Sequence, residues 1–286
     1  MGRRRSGPPT TRHDGQRRAF GDRLRRLRRE AKLTQRDLAA RAQISQSRIS
    51  EWETGGVTPE KTSIEALADA LGVPPEARAE LLDHLAQLHV EVSTWRVLHR
   101  AGMRSHQDRY GSMEQSSSEI REWSGSTVPG LLQTSDYVRT MCETWDVPGL
   151  VDVDGIVAGR EHRQEILAER TKRFHFLMDE SALRCRDIPA EVMAEQIDRI
   201  LLLAAMRHIE VRIVPRDVMV PAATGFDVFD DRLVLIDLDT TEVIIREPDQ
   251  VARYLDIFER LGVRAVRGAD LADLVRAIAH DLGGTQ

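Results

Sequence analysis

The stretch that most narrows what this chain can fold into is Thr34–Glu53, TQRDLAARAQISQSRISEWE. Thr34 and Ser45 each precede a short amphipathic run. Both are residue types that cap a helix by accepting an N–H from its first turn. Leu38 and Ala39 mark the inner side of the first run and Ile49 and Trp52 that of the second, and Gln43-Ile44-Ser45 allows only a tight turn between them. Ala39 and Ala42 are small where two helices joined so closely must touch. Upstream, Phe20, Leu24, Leu27 and Ala31 recur at steps of four, three and four, with arginines between them, which predicts an amphipathic helix with a basic outer face. Downstream, Gly55-Gly56 ends the second run. Lys61–Leu71 reads as a fourth helix on Ile64, Leu67, Ala68 and Leu71. Gly72-Val73-Pro74-Pro75 reads as a turn, and a fifth helix is expected from about Glu76 to Leu88. Residues 17–89 are therefore expected to be a five-helix domain, mainly α.

Two short helices set at a fixed angle suit the reading of duplex DNA. A major groove about 12 Å wide admits one α-helix. The first helix of such a pair crosses the backbone, and the second enters the groove with its N-terminal side chains against base edges. Gln46, Ser47, Arg48 and Ser50 stand at the start of the second helix. Gln35 opens the first, where its amide and the free backbone N–H groups suit a phosphate, and Lys61 opens the fourth helix in the same manner. We expect these six residues to form a DNA-binding surface.

The segment L-R-x-L-R-x-E-A-x-L-T-Q-x-x-L-A at Leu24–Ala39, S-x-S-x-I-S-x-W-E at Ser45–Glu53 and L-A-x-A-L-G-V at Leu67–Val73 resembles the Xre family of helix-turn-helix regulators, with the repressor-like fold. That resemblance implies that Gln35 touches phosphate and that Gln46, Ser47 and Ser50 face bases. Further along, V-P-G-L-L-Q-T at Val128–Thr134, R-x-x-R-Q at Arg160–Gln164, D-E-S-A-L-R at Asp179–Arg184 and V-x-I-V-P at Val211–Pro215 are similar to the C-terminal domain of WhiJ-like actinobacterial regulators. Val138 departs from the small Ala expected after the tyrosine. This second resemblance implies a regulator, many of whose relatives are encoded beside small partner proteins. It supplies neither a ligand nor a catalytic residue.

Charge is distributed unevenly. Residues 1–32 hold twelve Arg or Lys against three Asp or Glu, a net of +9, which leaves −14 for the remainder of a chain whose net charge is −5. A basic end that meets a polyanion and an acidic body that does not are the expected consequence. Residues 1–16, polar with two prolines and three glycines, read as a disordered arm bearing Arg3, Arg4 and Arg5. The two cysteines, Cys142 and Cys185, lie in no metal pattern and read as buried free thiols of a cytoplasmic protein. No apolar run approaches a membrane span.

After residue 89 the pattern predicts a helical connector over 90–125, with Tyr110, Met113, Ser117, Ile120 and Trp123 on one face, and then an α+β domain over 126–286. Strands are expected at Arg173–Met178, Val211–Val214, Arg232–Leu238 and Glu242–Arg246, with a hairpin turn at Asp239-Thr240-Thr241. Helices are expected at about Gly159–Glu169, Pro189–Arg207, 249–261 and 268–282. Residues 90–286 are expected to form the homodimer contact, with Leu271, Leu274, Ile278 and Leu282 a notable apolar stripe within them. Asp227, Asp230, Asp231, Asp237 and Asp239 read as solvated strand ends and turns, with an oxygen-rich metal site as the alternative.

No HExxH, GxSxG, P-loop or GxGxxG occurs, so neither catalytic residue, metal nor cofactor is expected. Glu114, Arg160, Arg163, Gln164, Glu180 and Arg184 are polar groups near apolar positions. They read either as a salt-bridge network or as a pocket for an unknown small-molecule ligand. The leading reading is a regulator of transcription that binds double-stranded operator DNA as a homodimer and senses a ligand or a partner. Two others stand beside it: an antitoxin-like protein that binds a small partner protein and autoregulates its promoter, and an enzyme with a DNA-targeting module.

Overall fold

The computed structural model describes residues 12–94, 103–144, 152–220, 224–238 and 241–283, and it divides into two units between Glu91 and Val92. Arg3, Arg4, Arg5, Asp239 and Thr240 lie outside the described residues. The first unit is a helical helix-turn-helix region, and the second combines a mixed sheet with helices.

The first unit holds α1 (Arg12–Glu30), α2 (Gln35–Ala42), α3 (Gln46–Thr54), α4 (Lys61–Leu71) and α5 (Pro75–Leu88). α1 takes in Arg12 to Gln16, so the helix begins inside the stretch expected as arm. Local chemistry sets the helix ends. Thr34 and Asp37 form a reciprocal capping box at the start of α2, and Ser45 Oγ accepts the Arg48 N–H at the start of α3. Gln43, Gly55 and Gly72 close α2, α3 and α4 in the left-handed region. Phe20, Leu24, Leu38, Ile49, Trp52, Ile64, Leu67, Leu81 and Leu85 make one core. Gly21 sits in the middle of α1 because nothing larger fits: a Cβ there would lie 2.4 Å from the Trp52 carbonyl oxygen. The two backbones thereby approach closely enough to pin α3.

The second unit is built on a seven-stranded sheet in the order β1-β7-β6-β5-β2-β3-β4. The strands are β1 (Val90–Thr94), β2 (Glu119–Ser124), β3 (Arg173–Asp179), β4 (Ile209–Val214), β5 (Phe226–Phe229), β6 (Leu233–Leu238) and β7 (Thr241–Ile245). β2, β3 and β4 run parallel, while β2–β5, β5–β6 and β6–β7 are antiparallel. Its helices are α6 (Met103–Gln115), α7 (Ser135–Thr144), α8 (Val153–Gln164), α9 (Ala190–Ala204), α10 (Pro248–Gly262) and α11 (Gly268–Gly283). One sheet face carries Ile120, Phe174, Phe176, Val211, Phe229, Leu235 and Ile244 into a core shared with α9 and α11. The other carries Trp123, Leu177, Val214, Phe226, Val228 and Val234 against Val251, Phe258 and Leu261 of α10.

Three expectations are corrected here. Residues 90–94 and 119–124 are strands rather than parts of a helical connector over 90–125. Ile120 and Trp123, three apart, enter opposite cores because both faces of the sheet are covered, so a helical spacing arose without a helix. The stripe Leu271, Leu274, Ile278 and Leu282 is consumed within the unit: Leu271 and Ile278 are core residues, and Leu274 and Leu282 pack against the same core. Its two core residues are therefore unavailable to a second copy, while Leu274 and Leu282 stay half-buried. Asp227 is not a solvated strand end, whereas Asp230 lies, as expected, in a turn. Asp227 is buried in the sheet, and Asp230 holds a left-handed turn from which Oδ1 accepts both the Ser118 and Glu119 N–H groups. The two cysteines are free thiols, each half-buried.

Candidate nucleic-acid interface

α3 turns Ile49 and Trp52 inward, which leaves its opposite side to polar residues. Gln46, Ser47 and Arg48 are exposed and Ser50 is half-buried. Ser47 Oγ lies 3.1 Å from the Ser45 Oγ that caps the helix, so the start of α3 is ordered by its own hydroxyls. Lys61 is exposed in the first turn of α4. Arg18, Arg26 and Arg29 are exposed on α1, where Asp22, Arg25, Arg26, Arg29 and Glu30 line a shallow open groove.

What fixes the angle between α2 and α3 is a residue that reading the sequence did not single out. Glu53, in the last turn of α3, is only 2% exposed. Its carboxylate accepts Arg28 Nε at 2.6 Å, Arg28 Nη2 at 2.9 Å and Gln35 Nε2 at 2.9 Å, while Arg25 Nη2 donates to its backbone carbonyl at 2.8 Å. Burial acts to raise the Glu53 carboxyl. The Arg28 and Gln35 hydrogen bonds and the charges of Arg28 and Arg25 outweigh it and hold the group below its ordinary range. Gln35 thus turns its side-chain amide inward to Glu53, so the outward-facing groups that suit a phosphate at this helix start are backbone N–H groups. The sequence signal was a glutamate beside the inward Trp52, one position from the apolar stripe.

In the second unit the six polar candidates separate into two groups. Arg163 Nε donates to Glu114 at 3.0 Å with Nη2 on the other oxygen, and Nη1 donates to Gln107 at 2.8 Å. Arg160 donates to the buried Gln133 side chain, and Gln164 Nε2 donates to the Gln133 carbonyl at 2.6 Å. Gln133 in turn donates to the Val128 carbonyl, and Gln196 brackets the same loop through Leu132 and Thr134. The V-P-G-L-L-Q-T segment is thereby held at both ends by buried amides. At the C-terminus of α6, Lys172 Nζ donates to the carbonyls of Glu114, Gln115 and Ser117. Glu180 and Arg184 form a separate pair. Arg184 also reaches Asp281 at 3.0 Å, and Glu180 accepts the Arg216 N–H at 3.0 Å. Among the described residues no group of His, Cys, Asp or Glu is placed to hold a metal ion, and no helix is long and apolar enough to cross a membrane.

Comparison with known proteins divides the chain in the same manner. A family model described as "Helix-turn-helix domain" matches residues 19–81. A second, described as "Domain of unknown function (DUF5753)", matches residues 107–277. No curated protein matches the chain. Among solved structures, a phospholipase D family member, Nuc from Salmonella typhimurium, is 11% identical over 63% of this chain and 97% of its own, with a TM-score of 0.36. TrmBL2, an archaeal chromatin protein, is 15% identical over 71% of this chain and 66% of its own, with a TM-score of 0.34. Both structural likenesses are weak.

Proposed function

The chain belongs to the DUF5753 family, and from that premise we propose that it is a transcriptional regulator whose first unit reads a specific sequence in double-stranded DNA. The observation that carries this reading is α3. Its buried side is locked by Ile49, Trp52 and Glu53, while Gln46, Ser47, Arg48 and Ser50 stand outward at its N-terminal end. Gln46, Ser47 and Ser50 meet base edges. Arg48 and Lys61 meet phosphates, as do the backbone N–H groups at Gln35. The helix-turn-helix match over residues 19–81 supports the assignment of this unit to DNA.

In this reading the regulator is of the Xre type with a WhiJ-like, actinobacterial second domain, it works in the cytoplasm, and it catalyses no reaction. It binds as a two-fold dimer, since one module spans only one half-site and a single half-site gives too little affinity against competing genomic DNA. The dimer surface lies elsewhere than Leu271 and Ile278 of α11, which the core has taken. The second unit responds to a partner protein or small ligand. Glu114 and Arg163 are bonded to each other, and Arg160 and Gln164 to Gln133, which favours a partner over a small ligand at this group. Selection of bound duplexes from a random pool tests the reading. It predicts one enriched, two-fold symmetric motif, whereas a pool without enrichment would exclude sequence-specific recognition.

A further inference from the structure

Glu122 of β2 and Asp227 of β5 are direct cross-strand partners, and both point to the sheet face that carries Ile120, Phe229 and Leu235. Like charges directly opposite on an antiparallel pair repel, and here Asp227 is also buried. Every element packed on this part of the face contributes charge or polar groups. From α6, the Tyr110 hydroxyl donates to Asp227 Oδ2, and Glu114 accepts Arg163. From α8, the Arg163 guanidinium lies 4.3 Å above the Tyr110 ring, and Arg160 stands beside it with a buried Nε that has no hydrogen-bond partner among the described residues. The turn after β2 supplies the Gly130 N–H to Glu122 Oε1 at 3.0 Å. β6 adds Asp237 at an exposed position, and on β7 the buried Glu242 is paired with Arg109 of α6 at 2.8 Å.

The charges of this cluster do not balance when every carboxyl is ionised. Arg109 and Glu242 cancel, and Asp237 reaches solvent. Arg160 and Arg163 then supply two positive charges against three carboxylates, Glu114, Glu122 and Asp227. An uncompensated charge in a buried setting is costly, and a single proton removes it.

We infer that the Glu122–Asp227 pair holds one proton in the folded second unit, and that releasing it loosens α6 and α8 from the sheet, so that the second unit is a proton-responsive element. Electrostatics support the geometry. Burial, ahead of the neighbouring Glu114, pushes Glu122 up to about 7, and burial followed by the Glu122 charge pushes Asp227 well above the usual carboxylate range. The two titrate as a pair. The closed form keeps a proton that the open form releases between the ordinary glutamate value of 4.5 and about 7. The population of the open form therefore rises about tenfold per pH unit across that window and levels off above it.

Amide hydrogen exchange on the full chain between pH 5 and 8, corrected for intrinsic exchange, reads this opening at residues 103–115 and 153–164. The expected result is roughly tenfold faster opening per pH unit from pH 5 to 7, with a plateau by pH 8. Glu122→Gln and Asp227→Asn should each flatten the dependence, since either change leaves two carboxylates against Arg160 and Arg163. Equal protection at pH 5 and 7 in the unmodified chain, or an unchanged slope in Glu122→Gln, would overturn the inference. Should the variants not fold, the unmodified chain still decides it. Infrared spectroscopy should show a protonated carboxylic acid band at pH 6 that is gone by pH 8, and its absence at pH 6 would equally overturn the inference.

Discussion

The side-chain amide of Gln35 donates to Oε2 of Glu53 at 2.9 Å, joining the first residue of α2 to the last turn of α3. The same carboxylate takes two N–H groups of Arg28, so one buried acid holds the angle between the two helices. Glu53→Ala leaves Arg28 and Gln35 facing a space with no acceptor. Removing one partner of such a pair costs about 2–3 kcal/mol here, the lower part of the usual range because Arg28 keeps some access to water. Hydrogen exchange of residues 17–54 and DNA affinity should both report the loss. Unaltered protection in Glu53→Ala would show that apolar packing alone sets the angle.

Two glycines of α1 should respond in opposite directions to alanine. Alanine is better by about 1 kcal/mol in a helix interior. At Gly15 nothing lies within 4 Å of an added Cβ, so Gly15→Ala should raise the melting temperature slightly. At Gly21 the Cβ would strike the backbone of Trp52 and Glu53, and forcing α1 away from α3 should cost about 1–3 kcal/mol net. Thermal unfolding followed by circular dichroism separates the two. A Gly21→Ala protein as stable as Gly15→Ala would contradict the close approach.

Acid should weaken the first unit. Glu53 is held below its ordinary value, so its contribution is present above that value and is lost as pH falls through the lowered one. Burial against Phe20, followed by the charge of Arg23, depresses His84, whose contribution is likewise present above its ordinary value of 6.5 and lost as pH falls. Exchange at residues 17–88 should accelerate, after correction, as pH falls below 6.5 through the loss of the His84 contribution, and again below 4.5 through that of Glu53. Constant protection from pH 7 to 4.5 would remove His84 from the account, and constant protection below 4.5 would remove Glu53.

α1 begins at Arg12, so a cut after Thr11 removes Arg3, Arg4 and Arg5 and spares the helix. If those arginines reach phosphates, each contributes about 0.9 to the slope of log affinity against log salt. The truncated chain should show a slope shallower by up to about 3, with its preferred DNA sequence unaltered. The same slope before and after truncation would mean that the arm makes no contact with DNA.

The first unit was largely legible because its information is local. Thr34, Ser45, Gly55 and Gly72 cap or close helices within a few residues of themselves, and Phe20, Leu24, Ile64 and Leu67 repeat at helical spacing. Glu53 escaped because its meaning depends on Arg28 and Gln35, far away along the chain. In the second unit β3, β4, β6 and β7 were visible as β-branched and aromatic runs. β2 and β5 were not. Glu119–Ser124 mimics a helical spacing, and Phe226–Phe229 is a four-residue strand interrupted by a carboxylate. The pairing of Glu122 with Asp227 joins positions more than a hundred residues apart, which no local pattern announces. The dimer stripe misled in part for the same reason: its periodicity is real, but Leu271 and Ile278 are satisfied within the chain.

Base reading by α3 is put to the test on the motif enriched from random DNA. Binding of that duplex, and of single-base variants of it, should be measured at fixed salt for the unmodified chain and for Gln46→Ala/Ser47→Ala/Ser50→Ala. Each lost base contact should cost about 1–3 kcal/mol, so the triple variant should lose at least tenfold in affinity. Its discrimination should also collapse at the contacted positions while its residual, salt-dependent binding persists. An unchanged affinity and an unchanged base preference in a folded triple variant would contradict the account.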